Sequence, residues 1–181
     1  RTMTIISLGM LLVMFFSLAM SVNAATTIKL AHVNAVTHAI HLSSEKFKAL
    51  VEERSGGTIK VEVYPASQLG NEKEIAEGVK MGTVDMVHIS SGGLAQFLPE
   101  MGVFDAAYIF RDKAHQTSVL RGAIGTEFKE KLIAKAGIRI LQFYYQGERN
   151  LTTSNKAVYG PADIKGLKVR TPDVKSYVET I

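Results

Sequence analysis

From residue 27 onward the chain switches between two hydrophobic periods. Thr27-Ile28-Lys29-Leu30-Ala31-His32 alternates apolar and polar side chains, the period-two pattern of a half-buried strand. Residues 39–54 instead place Ile40, Phe47, Leu50 and Val51 at helical spacing, and Ser55-Gly56-Gly57 ends that helix. Thr58 to Tyr64 alternates again and is closed by Pro65. Asn71 with Glu74 three residues later forms a capping pair that opens a helix running to Met81, and Gly82 stops it. Asp85 to Ser90 is a third predicted strand, followed by a Ser91-Gly92-Gly93 turn where backbone can approach a ligand closely.

Strand, helix, strand, helix, strand predicts an α/β layer with a largely parallel sheet and right-handed crossovers. Residues 113–121 and 125–136 read as two further helices, the second ended by Gly137. Ile138 to Tyr144 predicts a strong strand, and Leu151 to Ser154 and Lys168 to Arg170 predict short ones. Pro161 to Gly166 reads as one helical turn, with Pro at its first position and Gly past its end. Pro172-Asp173 opens a last helix that reaches the end of the sequence at Ile181. That cut predicts a fragment of a longer protein.

The first 24 residues follow neither period. Arg1 gives a short positive region, Leu11-Leu12-Val13-Met14-Phe15-Phe16 an apolar one, and Val22-Asn23-Ala24 a signal-peptidase site, so cleavage is expected after Ala24. The competing reading is an uncleaved membrane anchor, since the stretch is long enough to cross a bilayer. Gly9, Ser17, Ser21 and Asn23 dilute it, however, and no basic cluster follows. The expected product is a protein exported to the periplasm.

The sequence contains no Cys, which removes a lipid-anchored Cys, disulfides and thiolate metal sites from consideration. An apolar fraction of 46% and a charged fraction of 21% suit a globular core, so disorder is not expected. The net charge of +4 is spread as mixed-sign neighbours such as Lys129-Glu130-Lys131, not as the basic stripe that nucleic-acid binding needs.

Candidate chemistry is sparse. The hydrolase elbow, the P-loop and the His-Glu-x-x-His pattern are all absent, so no catalytic residue is assigned. His38 and His41 are three apart but lack a third ligand at a telling spacing, so neither a metal nor a cofactor is expected. In an open parallel sheet, ligands bind beyond the carboxyl ends of the strands, where Asn34, Ser90 and Ser91 fall. Arg149 follows the predicted strand ending at Tyr144, and Arg170 precedes Thr171-Pro172. A guanidinium carries a planar fork of donors that grips a carboxylate in bidentate fashion.

Four stretches carry a resemblance: Ala31-His32-Val33, Tyr64 to Glu72, Gly147-Glu148-Arg149-Asn150, and Asn155 to Pro172 with its Gly160-Pro161-Ala162-Asp163-Ile164-Lys165-Gly166-Leu167-Lys168-Val169-Arg170 run. In their order and spacing they resemble the solute-binding proteins of tripartite ATP-independent periplasmic (TRAP) transporters. The resemblance implies a type II-like periplasmic-binding fold of two α/β lobes closing over an organic acid, a C4-dicarboxylate or a sugar acid. It implies that Arg170 pairs with the ligand carboxylate and Arg149 assists. Asn34, His38, Ser90 and Ser91 would line the first lobe, and Glu72 would contact ligand hydroxyls. The implied partners are the ligand and the membrane permease subunits.

On this reading residues 1–24 are the signal peptide, 25–145 an incomplete first lobe, and 146–181 the start of a truncated second lobe. One departure is Ala107, where the family often has Pro, which implies a looser loop around Tyr108. Two alternatives stand beside transport: a periplasmic sensor of the same fold, and a periplasmic enzyme acting on an organic acid.

Overall fold

The computed structural model describes residues 25–172 and 175–180, so the expected signal peptide lies outside the described residues. The elements are β1 (Thr26–Ala31), α1 (Ala39–Arg54), β2 (Ile59–Tyr64), α2 (Glu72–Met81), β3 (Met86–Val87), α3 (Ser91–Leu94), a 3-10 helix (Pro99–Asp105), α4 (Lys113–Arg121), α5 (Ala123–Ala136), α6 (Pro161–Ile164) and α7 (Lys175–Thr180). No helix among the described residues is long and apolar enough to cross a membrane.

The strands form a parallel sheet in the order β2-β1-β3, as the alternation predicts. β1 pairs along its length with β2, Thr26 opposite Ile59 through Ala31 opposite Tyr64. It meets β3 only at Leu30–Met86 and Ala31–Val87. The third strand is thus shorter than its sequence suggests. The backbone after Val87 leaves the ladder, and Ser91-Gly92-Gly93 starts a helical turn instead of forming a loop.

The boundary signals of α2 operate as read. Asn71 accepts from the amides of Lys73 and Glu74, Glu74 reaches back to the Asn71 amide, and Gly82 closes the helix with a left-handed φ of 75°. Those contacts satisfy amides that a helix end would otherwise leave bare.

Two apolar clusters hold the fold. Ala31, Ile75 and Val84 join the sheet to α2. Leu94, Leu98, Met101, Phe104, Leu120, Leu132 and Ile138 form a second cluster under α3, the 3-10 helix, α4 and α5. The structure corrects the sequence reading here, because residues 138–144, 151–154 and 168–170 are not strands. A strand exists only through a neighbour's hydrogen-bond ladder, and no described strand pairs with these segments. Part of the first segment is covered by other means: Ile138 belongs to the second cluster, Ile140 and Phe143 pack half-buried against it, and Leu141 stays exposed. Tyr108, in the loop beside Ala107, is fully exposed at a positive φ of 61°.

Candidate functional site

Because β1 and β3 are adjacent and parallel, the segments leaving their carboxyl ends emerge side by side. The loop after β2 is stitched to the same place. Ala66 donates its amide to the Asn34 carbonyl at 2.9 Å, and Ser67 donates to the His32 carbonyl at 3.3 Å. Ala66 and Ser67 adopt left-handed φ values of 51° and 61° to make these bonds. This is the Tyr64-to-Glu72 stretch, and its geometry delivers Glu72, the first residue of α2, to the end of β3.

There the Ser90 hydroxyl donates to Glu72 Oε2 at 2.7 Å and accepts from the Gly93 amide at 3.0 Å. Gly93 has no room for a side chain, since a Cβ would meet Ile89 and come within 3.0 Å of Glu72 Oε2. Glu72 and Ser90 are both half-buried.

Residues from the later chain close around this pair. Tyr144 is 45% exposed overall, but its phenol is desolvated and feels the Glu72 carboxylate, and is pushed up to about 12. Asp105, at the end of the 3-10 helix, accepts from the Gly92 amide. Burial raises its pKa above the usual carboxylate value, and the nearby Glu72 charge adds to that. The Gly92 amide, the approach of Tyr177 and the Arg149 charge pull the other way. The Arg149 guanidinium carbon lies 4.2 Å from the centroid of the Tyr177 ring, a stacked cation–π contact. Tyr177 itself is raised, by burial first and then by Asp105.

The sequence-predicted residues therefore divide. Glu72 and Ser90 meet directly through a hydrogen bond, and Arg149 lies over the Tyr177 ring. Asn34 is half-buried and contributes its backbone carbonyl to the stitching. His38 is the N-cap of α1, its Nδ1 accepting from the Ile40 amide at 3.1 Å. Ser91 is half-buried at the first position of α3. Arg170 is exposed and, among the described residues, makes no ion pair.

Sequence reasoning missed Asp105, Tyr144 and Tyr177 as site residues. Asp105 carried a signal, as a lone carboxylate within the apolar run from Met101 to Phe110. Tyr177 carried none.

Under the cluster lies a group of histidines. His32 is 1% exposed, and its Nε2 is 3.3 Å from His41 Nδ1, so one ring donates to the other. His88 lies between His32, which it meets edge-on, and Tyr144, to which it is tilted, with centroid distances of 6.4 and 5.6 Å. The Nδ1 atoms of His32 and His88 are buried and find no hydrogen-bond partner among the described residues. Desolvation lowers both pKa values, and for His32 the charges of His41 and His88 lower it further. The Asn34 backbone opposes this without reaching hydrogen-bond geometry. No group of three His, Cys, Asp or Glu able to hold a metal occurs among the described residues.

The sign of the pH effect follows. The folded pKa values lie below 6.5, so on acidification the unfolded chain takes up protons first. Stability is intact above pH 6.5 and falls below it, by up to about 1.4 kcal/mol per pH unit for each ring kept neutral. Urea melts of the full-length protein between pH 7.5 and 5.5 should show the midpoint dropping, with a shallower slope in His88→Gln. A midpoint independent of pH would remove the effect.

Residues 30–181 match the family described as bacterial extracellular solute-binding protein, family 7. The chain belongs to that family. A 2,3-diketo-L-gulonate-binding periplasmic protein of Escherichia coli (strain K12) is 36% identical over 148 residues, which is 82% of this chain and 45% of that protein. A C4-dicarboxylate-binding protein of Bacillus subtilis (strain 168) is 35% identical over 142 residues, 78% of this chain and 40% of that one.

Among solved structures, a TRAP periplasmic solute-binding protein from Roseobacter denitrificans OCh 114 with bound L-galactonate superposes with a TM-score of 0.78 at 35% identity. It covers 85% of this chain and 51% of that one. The family 7 chain described here thus spans about half the length of the relatives it matches. Those relatives are named as binding proteins.

Proposed function

We propose that this family 7 chain captures a hydroxylated organic acid in the periplasm and presents it to the membrane permease subunits of a TRAP transporter, without catalysis. On this reading residues 1–24 are a cleaved export signal, residues 25–145 belong to the first lobe, and residues 146–181 begin the second. Arg170 grips the ligand carboxylate with Arg149 beside it. Asn34, His38, Ser90 and Ser91 line the first-lobe wall.

The observation that carries the substrate class is the Glu72–Ser90 pair at the carboxyl ends of the parallel strands. A half-buried carboxylate accepts from ligand hydroxyls, whereas a second ligand carboxylate placed against it meets like charge. Glu72 therefore favours a sugar acid over a C4-dicarboxylate. The ligands named for the relatives, L-galactonate and 2,3-diketo-L-gulonate, support that direction.

A thermal-shift screen of the full-length protein tests the reading. A sugar acid at 100 times its Kd should add about 2.7 kcal/mol, and succinate much less. A larger shift with succinate would reverse the assignment of Glu72, and no shift with any acid would end the carboxylate reading.

A further inference from the structure

Ser90 is used twice, and its two bonds fix which way its proton points. Its Oγ accepts from the Gly93 amide at 3.0 Å, which makes Ser90 the N-cap of α3. An amide N–H can only donate, so the single hydroxyl proton is left for another acceptor. Glu72 Oε2 takes it at 2.7 Å, from the first position of α2, 18 residues earlier in the chain. The order amide, hydroxyl, carboxylate therefore runs one way only. Capping α3 requires the accepting half of this arrangement and leaves the donating half unexplained.

The first turn of α2 gives Glu72 no reason to be half-buried. Its neighbours Lys73 and Glu74 are exposed, and Glu74 already supplies the carboxylate of the capping box. An acid favours the amino end of a helix without being buried there. Among the described residues no cation pairs with Glu72, and the Ser90 hydroxyl is the one donor to its carboxylate. A carboxylate offers about four acceptor positions, so most of them stay open, those of Oε1 included. Desolvating such a group is costly until further donors reach it. Its seat on the turn of α3 is nonetheless close, since a Gly93 Cβ would stand 3.0 Å from Oε2.

We propose that Ser90 is a positioning residue for Glu72, its hydroxyl holding Oε2 against the first turn of α3 so that Oε1 is ordered before a ligand hydroxyl arrives. The proposal rests on the reading of Glu72 as an acceptor of ligand hydroxyls. Ser90 acts through Glu72, its own proton being already committed, and not through a direct bond to the ligand. An unheld glutamate samples many rotamers, and ordering it on binding subtracts from affinity. The benefit falls on hydroxylated acids, because succinate has no hydroxyl for Glu72 to accept.

The test uses the full-length protein with Ser90→Gly, Glu72→Ala and the double variant. Glycine is a serviceable N-cap, so Ser90→Gly removes the hydroxyl with little loss of helix stability. Affinities for succinate and for L-galactonate, the acid held by the Roseobacter relative, are read by calorimetry. Crystal structures without ligand read the position of Glu72. Ser90→Gly should bind L-galactonate about tenfold more weakly and succinate no more weakly, with the Glu72 carboxylate displaced from α3 or split between conformers. In the Glu72→Ala background the same change should cost no further L-galactonate affinity, since its route to the ligand is gone.

A loss that persists in that background overturns the proposal, because Ser90 would then bind the ligand itself. An equal loss for both acids overturns it too, as the mark of a merely structural role. So does L-galactonate affinity that falls in Glu72→Ala but not in Ser90→Gly, or an unliganded Ser90→Gly structure with Glu72 unmoved. If Glu72→Ala binds L-galactonate as the wild type does while Glu72 still moves in Ser90→Gly, the acceptor reading of Glu72 has failed and its positioning by Ser90 stands.

Discussion

Arg170→Ala in the full-length protein should lose the ligand while leaving the unliganded fold intact. Truncating one partner of a desolvated, hydrogen-bonded charge pair costs about 2–5 kcal/mol, so the Kd for the bound acid should rise at least about thirtyfold. Arg170→Lys keeps the charge but loses the planar fork, and should fall between wild type and Ala. Arg170 is exposed and forms no ion pair among the described residues, so nothing in its surroundings predicts a change in unliganded melting temperature. Calorimetric titration of the three proteins checks this, and equal Kd values for wild type and Ala would remove Arg170 from the site. The corresponding loss at Arg149 should be smaller, because its guanidinium already stacks on Tyr177 and, on the proposed reading, would be shared between that contact and the ligand.

The largest expected effect on stability is at Gly125. It is buried at the start of α5, where the chain turns sharply from α4 through Gly122. A Cβ there would overlap the Leu120 carbonyl group, which is backbone and cannot rotate away. Accommodating Gly125→Ala would part the two helices that carry Leu120 and Leu132 into the main core. The expected cost is about 3 kcal/mol or more, at the upper end for overpacking because the obstacle is main chain. Gly102→Ala is the control. Its Cβ would meet only Ala95 at an ordinary 3.8 Å, and stability should move by no more than about 0.5 kcal/mol. Urea unfolding of both variants decides the matter, and equal midpoints would mean that the α4–α5 junction relaxes freely.

The early chain was highly legible. Alternation from Thr27 and from Thr58, the helical spacing of residues 39–54, and the Asn71–Glu74 pair all became the elements they predict, because each is a local preference that the fold does not oppose. Ile138 to Tyr144 shows where that logic stops. Its alternation is genuine and Ile138, Ile140 and Phe143 pack into the core, yet it is no strand, since packing against helices satisfies the pattern as well as a ladder does. Periodicity reports which face is apolar. It does not report what covers it.

The sequence by itself determined the α/β alternation, the helix ends, the place of Glu72 at the start of α2 and that of Ser90 just past the third strand. Short-range dihedral and capping preferences suffice for those features. Only the tertiary structure decided that Glu72 bonds Ser90, that Asp105 accepts from Gly92, and that the rings of His41 and His88 lie beside the buried His32. Those meetings join residues far apart in the chain. They depend on the β2-β1-β3 order, which brings two strand ends together, and on the core that fixes the 3-10 helix beneath them.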